Sequence, residues 1–212
     1  IGAAKISAKD GKLHPTAAGL LMFGEEYKIL YEFPEHYLDY REVLDPTIRW
    51  TDRLQSSSGD WTGNLFDFFF RVYGKLVKDL KIPFKLEGIT RIDDTPVHKA
   101  LREALANCLV NTDFYFQRGI VIRKDVNSIT MENPGNIRTG KEQMLKGGIS
   151  DPRNKALMKM FNFRSDAVLK NRLNHVLVFN TKDIPLILQG FLSVFNLHHY
   201  QFNINFVHRP QL

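Results

Sequence analysis

The sequence predicts a layered α/β (α+β) fold, and three observations carry that reading. Apolar residues recur every three or four positions over residues 64–80 and again over 97–110, the spacing of amphipathic helices. Short alternating or apolar runs at 37–43, 120–123 and 128–131 read as strands. The composition, 43% hydrophobic and 25% charged over 212 residues, is that of a soluble globular chain able to bury a core without staples. It excludes a disordered tail, a collagen-like fibre and a membrane bundle.

In chain order, His14–Gly24 reads as a short apolar helix closed by Gly24. Tyr37–Val43 alternates apolar and polar residues, which suits a half-buried strand. Residues 53–63, with Ser56-Ser57-Ser58-Gly59-Asp60, read as a polar loop. Asn64–Leu80 carries Leu65, Phe66, Phe68, Phe69, Val72, Tyr73, Leu76 and Leu80 on a wide apolar face, and core packing is the reading for that stripe. Pro83 ends the helix and Phe84–Ile92 reads as a strand. Asp93-Asp94-Thr95-Pro96 is a helix start, with a capping side chain and proline in the first turn, opening Val97–Val110. Two strands, 120–123 and 128–131, are joined by a turn at 124–127. A glycine-punctuated loop spans Gly135–Gly148, and Pro152 opens a last helix to about Phe161. These elements divide the chain into an N-terminal helix and strand portion (1–92), a core (93–166) and an atypical tail (167–212).

Charge and cysteine usage narrow the setting. Residues 1–166 hold 25 basic and 22 acidic side chains, and no run of five Lys or Arg occurs, so the net +6 is weak evidence for a nucleic-acid surface. Weak, non-specific binding of duplex DNA is the expectation. A lone cysteine, Cys108, fits a reducing, cytoplasmic compartment, and it falls on an apolar helix face as an inert core thiol. The chain begins at Ile1 with no signal segment and reads as a domain of a longer protein. Ile184–Val207 lacks Lys, Arg, Asp and Glu, but its Pro, Gln, Asn and His residues would be costly in hydrocarbon, so no membrane span is expected. His198 and His199 diverge on any regular element and lack metal-binding neighbours.

Chemistry is concentrated on the second helix. Glu103, Asn107 and Asn111 recur every four residues and share one polar face. An asparagine oxygen can ligate Mg²⁺, and a glutamate one turn away can orient or deprotonate water attacking a γ-phosphate. The alternative is a solvated helix face. Downstream, Glu132-Asn133-Pro134-Gly135 puts a polar side chain at a strand end before a glycine, one way to read an adenine. The alternative there is a plain β-turn.

Four segments together, Pro15–Gly24, Arg102-Glu103-Ala104-Leu105-Ala106-Asn107, Glu132–Gly135 and Asp151-Pro152-Arg153-Asn154, resemble the C-terminal region of bacterial transcriptional regulators labelled RecG-like ATP-dependent helicases. The resemblance covers about residues 12–162. It implies a divergent ATPase domain of the gyrase, histidine-kinase and MutL superfamily, with helices on one face of a mixed sheet in a Bergerat-like sandwich. A Schlafen-type (AlbA-like) DNA-binding domain precedes that domain in the family, so DNA is expected to be a partner only through a part outside this chain. A homo-oligomer, such as a dimer, is expected as well.

The resemblance further implies Glu103 as general base, with ATP and Mg²⁺ as cofactors. Asn107 would hold the Mg²⁺, and Asn111, Asp113, Asn133, Gly135, Gly147 and Gly148 would complete the nucleotide site. This chain departs from the family in three places. The helix-end motif is Asn111-Thr112-Asp113-Phe114-Tyr115, where His-Arg-Asp-Tyr is common. Asn133 replaces the superfamily's aspartate. After the Arg-Asn helix the expected second glycine motif is replaced by Phe161-Asn162-Phe163-Arg164-Ser165-Asp166, and the only later glycine is Gly190. Composition also changes near residue 162, which fits either a divergent C-terminus or an altered reading frame. The amides that such a glycine loop aims at phosphate are therefore lost, and weak ATP binding with negligible hydrolysis is expected. A packing tail or a subunit contact is expected of residues 167–212. No Gly-x-x-x-x-Gly-Lys-Ser/Thr motor motif occurs, so the sequence argues against a helicase. The alternative function is a non-catalytic scaffold for dimerisation or partner binding.

Overall fold

The computed structural model describes residues 2–78, 80, 86–87, 90–91, 95–136, 151–167 and 199–205. Its first unit is a hairpin of β1 (Ala4–Ile6) and β2 (Leu13–Pro15), followed by α1 (Ala17–Phe23) and α2 (Glu26–Glu32). Thr16 caps α1 by accepting the Gly19 amide, and the Gly24 amide closes the helix onto Leu20 O. Two strands follow, β3 (Leu38–Val43) and β4 (Asp52–Gln55), and then α3 (Leu65–Val77), capped by Asn64. A minimal hairpin, β5 (Leu86–Glu87) with β6 (Thr90–Arg91), precedes α4 (Pro96–Val110), whose cap is Thr95. The last elements are β7 (Ile120–Asp125), β8 (Ser128–Pro134), α5 (Lys155–Ala167) and β9 (His199–Asn205).

Five strands form one mixed sheet in the order β4-β3-β7-β8-β9. Only β3 and β7 run parallel, with Leu38 opposite Ile120, and α3 and α4 make the crossover between them. Alternation sends Leu38, Tyr40, Ile120, Ile122, Ile129 and Met131 to one face, all at most 1% exposed. Leu65, Phe68, Val72 and Leu76 of α3 and Leu101, Leu105 and Leu109 of α4 are equally buried in the same cluster. Each such side chain contributes about 1.5–3 kcal/mol on burial. The opposite sheet face is polar. The protein is thus an α/β fold with helices on one side of a mixed sheet, and the aromatic stripe of α3 is core.

Two local expectations are corrected, and the tail expected to pack gains a defined element. Residues 53–63 are only partly loop: Asp52–Gln55 is a strand and Ser56–Ser58 a 3-10 turn. A single buried apolar residue, Leu54, marks that strand, and its outward Arg53 is held by charge rather than by packing. The stretch 84–92 holds two two-residue strands instead of one long one. The tail contributes β9, which pairs antiparallel with β8 from Ser128–Asn205 to Pro134–His199. The loop expected over 135–148 lies outside the described residues beyond Asn136. Among the described residues no helix is long and apolar enough to cross a membrane.

Candidate functional site

Helix α4 packs against β8, the strand that carries Asn133, and against α3 and α5. Glu103 and Asn107 are half-buried on its polar stripe. Burial pushes the Glu103 carboxyl above the usual range, with the neighbouring Arg102 charge opposing the shift. Its Oε1 is buried without a hydrogen-bond partner.

Asn133 shares the inward face of β8 with Ile129 and Met131 and is 2% exposed. Its Oδ1 and Nδ2 are both buried and both unpartnered. A buried carboxamide with neither group satisfied is rare in folded proteins, because each lost hydrogen bond costs about 1–3 kcal/mol.

The other expected site residues converge on Arg153. Asn111 ends α4 and accepts the Arg153 amide on Oδ1 at 3.3 Å, while its own Nδ2 donates to Asn107 O at 3.0 Å. Arg153 Nε donates to Asn111 O, Nη1 to the Asp113 carboxylate and Nη2 to Asn136 O, at 3.3, 3.3 and 3.0 Å. Gly135 has φ +124°, and a Cβ there would stand 3.1 Å from Arg153 Nη2. Asn111, Asp113 and Gly135 therefore shape the junction between α4, β8 and α5. Gly147 and Gly148 lie outside the described residues.

Sequence reasoning assigned no role to Arg153 and Asn154. Asn154 Nδ2 donates to Val110 O at 2.9 Å and to Thr112 O at 2.7 Å, closing the end of α4 from 42–44 residues away. The signal was present in Asp151-Pro152-Arg153-Asn154, a polar tetrapeptide at a helix start, but its partners are non-local.

Sequence reasoning also missed a cleft of about 540 Å³ between α1, the loop after α4 and the first turn of α5. Thr16, Leu21, Phe33, Asp113, Tyr115 and Lys155 are among its walls. Glu103, Asn107 and Asn133 do not line it.

The donor set fits a nucleotide in part. The Asn133 amide offers one donor and one acceptor to a base edge, and Asn107 offers one oxygen to a Mg²⁺ that would take its other ligands from phosphates and water. Among the described residues no group of three His, Cys, Asp or Glu side chains forms a metal site of its own.

Comparison with known proteins adds little to this geometry. Residues 1–39 match a domain of unknown function (DUF8451), the stretch that forms β1, β2, α1, α2 and one wall of the cleft. No curated protein matches the chain. Among solved structures the chain is similar to the DIP2311 protein from Corynebacterium diphtheriae, at 16% identity and a TM-score of 0.47. That likeness covers 69% of this chain and 28% of the other.

Proposed function

We propose that this chain is the ATP-binding-type regulatory domain of a bacterial transcriptional regulator, with the base side of a Bergerat-like nucleotide site kept and the triphosphate side degraded. The observation that carries the reading is the buried, doubly unpartnered carboxamide of Asn133. A paired donor and acceptor matches the edge that adenine presents, and asparagine is a favoured reader of that base. Glu103, with its unpartnered oxygen and raised pKa, suits a proton acceptor for water. Mg²⁺, when bound through Asn107 and the phosphates, would supply neutralisation of phosphate charge. Arg153 and Asn154 hold the end of α4 and so keep Glu103 and Asn107 in register with β8. In this reading the protein is cytoplasmic and reaches DNA through a domain outside this chain.

The triphosphate side lacks its glycine loop, since only Gly190 follows Gly148. Calorimetric titration with Mg-ATP tests the proposal. A dissociation constant above roughly 100 μM is expected, and Asn133→Leu should abolish the heat. Low-micromolar binding would overturn the degraded half. Binding indifferent to Asn133→Leu would overturn the base contact.

A second reading, a scaffold for self-association, is favoured by one surface. Phe23 and Phe70, 55% and 41% exposed, flank Phe66 with ring centroids 5.6 and 5.0 Å away. Tyr27 on the adjoining helix is 61% exposed. Light scattering should then report a dimer that Phe23→Asp dissociates.

A further inference from the structure

Folding gathers charge that the sequence keeps apart. On the polar face of the sheet, register places Arg53 of β4 opposite Arg41 of β3, Arg41 beside Arg123 of β7, and Arg123 opposite Thr130 of β8. Three guanidinium groups thus stand in one row, with neighbouring strands about 4.8 Å apart. Like charges in such a row repel, so the arrangement needs compensation.

Compensation comes from below and from the side. The Asp39 carboxyl, 0% exposed, accepts from Arg53 Nε at 3.0 Å and Nη2 at 3.1 Å and from Arg41 Nε at 2.6 Å. Burial would raise the Asp39 pKa, but the two arginines outweigh it and hold the carboxyl below its ordinary value. Arg123 leans on Asp125 at 2.9 Å. These contacts engage Nε and Nη2 of Arg41 and Arg53, with Arg53 Nη2 also donating to Tyr37 Oη at 3.0 Å, and only Nε of Arg123, so the outer Nη1 groups and both Nη groups of Arg123 are what the row offers an anion.

Aromatic surface adjoins the row. Trp50, in the loop joining β3 to β4, has the Arg49 guanidinium 4.4 Å and the Arg53 guanidinium 4.7 Å from its ring centre. Arg49 is exposed. At the other end, exposed Arg118 borders a hollow with Val121 and Glu132. Counted together, five arginines on this face meet the carboxylates of Asp39, Asp125 and Glu132, which leaves an excess of positive charge.

We propose that this sheet face binds single-stranded nucleic acid, with the Arg53–Arg41–Arg123 row on phosphates and the Trp50–Arg49 stack on bases. Among the described residues the face is mostly polar, its apolar groups being Val43, Val121 and the Tyr37 and Trp50 rings scattered among charges, whereas a protein partner needs a contiguous apolar or aromatic patch to bury. Nucleic-acid interfaces are polar and strongly basic. The core helices α3 and α4 pack on the opposite face, so neither is presented here to enter a major groove, while rings and guanidinium planes suit unpaired bases. The proposal does not rest on nucleotide binding at Asn133, although that residue also borders the Arg118 hollow.

Fluorescence anisotropy of the full chain with a labelled oligothymidylate of roughly a dozen nucleotides tests it. Saturable binding at roughly 50 mM salt is expected, weakening steeply by roughly 200 mM. Arg49→Glu should weaken it about tenfold, and Arg123→Gln should lower the salt slope by about 0.7. Trp50→Ala should lower affinity with the salt slope unchanged, because stacking releases no counterions. Thermal melts of the variants confirm that they fold, and Arg49 and Arg123 are exposed enough to replace. Absence of saturable binding, equal affinity in the Arg49 and Arg123 variants, or tighter binding of the matched duplex would overturn the proposal. Competition by polyglutamate as effective as by the unlabelled oligonucleotide would overturn it in favour of an acidic protein partner.

Discussion

Replacing Asn133 by leucine should stabilise the protein. The two side chains share a branched shape, but leucine has no hydrogen-bonding groups to leave unsatisfied. Asn133 is 2% exposed with both amide atoms unpartnered, and its neighbours on the inward face of β8, Ile129 and Met131, are 1% and 0% exposed. Each unpaired group costs about 1–3 kcal/mol, and misfit of the two methyl groups returns about 1 kcal/mol of strain. The net expectation is a gain of about 2 kcal/mol, or about 4–8 °C in melting temperature for a chain of this size. Urea denaturation followed by tryptophan fluorescence, with a calorimetric melt, measures it. The gain should come with loss of any nucleotide-induced rise in melting temperature, the trade expected where a residue serves binding rather than folding. A loss of more than about 1 kcal/mol would refute the reasoning, because it would make the Asn133 amide a satisfied structural group.

Three further outcomes are expected. Asp39→Asn should cost about 3 kcal/mol, since it leaves Arg41 and Arg53 without their carboxylate. The Asp39 pKa is lowered by folding, so its stabilisation is complete above the unfolded value near 3.9 and is lost as pH falls through the folded value. The gap between wild type and variant in urea titrations should therefore begin to close as pH falls below about 4 and vanish below the folded value, and a gap that never narrows in acid would refute the pairing. Glu103→Gln should act in the opposite sense. A carboxyl whose pKa is raised by folding stabilises below its unfolded value near 4.3 and loses that contribution as pH rises through the folded value, so the variant should be the more stable protein at pH 8 and no better at pH 4. Cys108 is 1% exposed, and burial together with the Glu132 charge pushes its thiol up. Ellman's reagent should label it at least about 10³-fold more slowly in the native protein than in urea, and rapid native labelling would contradict its place in the core.

Elements whose causes are local were legible in the sequence. Thr16, Asn64 and Thr95 cap the helices that follow them, each within three residues of the amide it accepts. The stripe of α3 was legible because one face meets the core at every turn. Helix α2 was not, since it buries only Ile29 and has no side-chain cap. Strand β4 was hidden because Arg53 is held outside the core by Asp39, 14 residues away. The arginine face was invisible for the same reason, as its row is assembled from residues 41, 53 and 123 by strand register alone. On the site, the polar stripe of α4 and the position of Asn133 could be read from spacing. The partners of Asn111, Asp113 and Gly135 could not, because Arg153 lies on another helix start.

The distribution of satisfied and unsatisfied polar groups separates folding from function around α4 and β8. Where this helix ends, every polar side chain has work in the fold: Thr112 donates to Cys108 O at 2.7 Å, Asn154 serves two carbonyls, and Arg153 serves two carbonyls and one carboxylate. Local sequence therefore had the means to satisfy buried polar atoms. Two turns earlier on the same helix, Glu103 keeps an unpartnered oxygen, and on the strand against which α4 packs Asn133 keeps two unpartnered atoms. Apolar side chains at both positions would fold more cheaply, because nothing in the core calls for a donor or an acceptor there. Under the proposed nucleotide reading, a ligand completes the carboxylate and the carboxamide at these positions. In that reading the carboxyl, with its raised pKa, takes a water-derived proton and the paired donor and acceptor meet a base edge. Asn133→Leu and Glu103→Gln are accordingly expected to share one signature, greater stability at neutral pH and a weaker response to nucleotide.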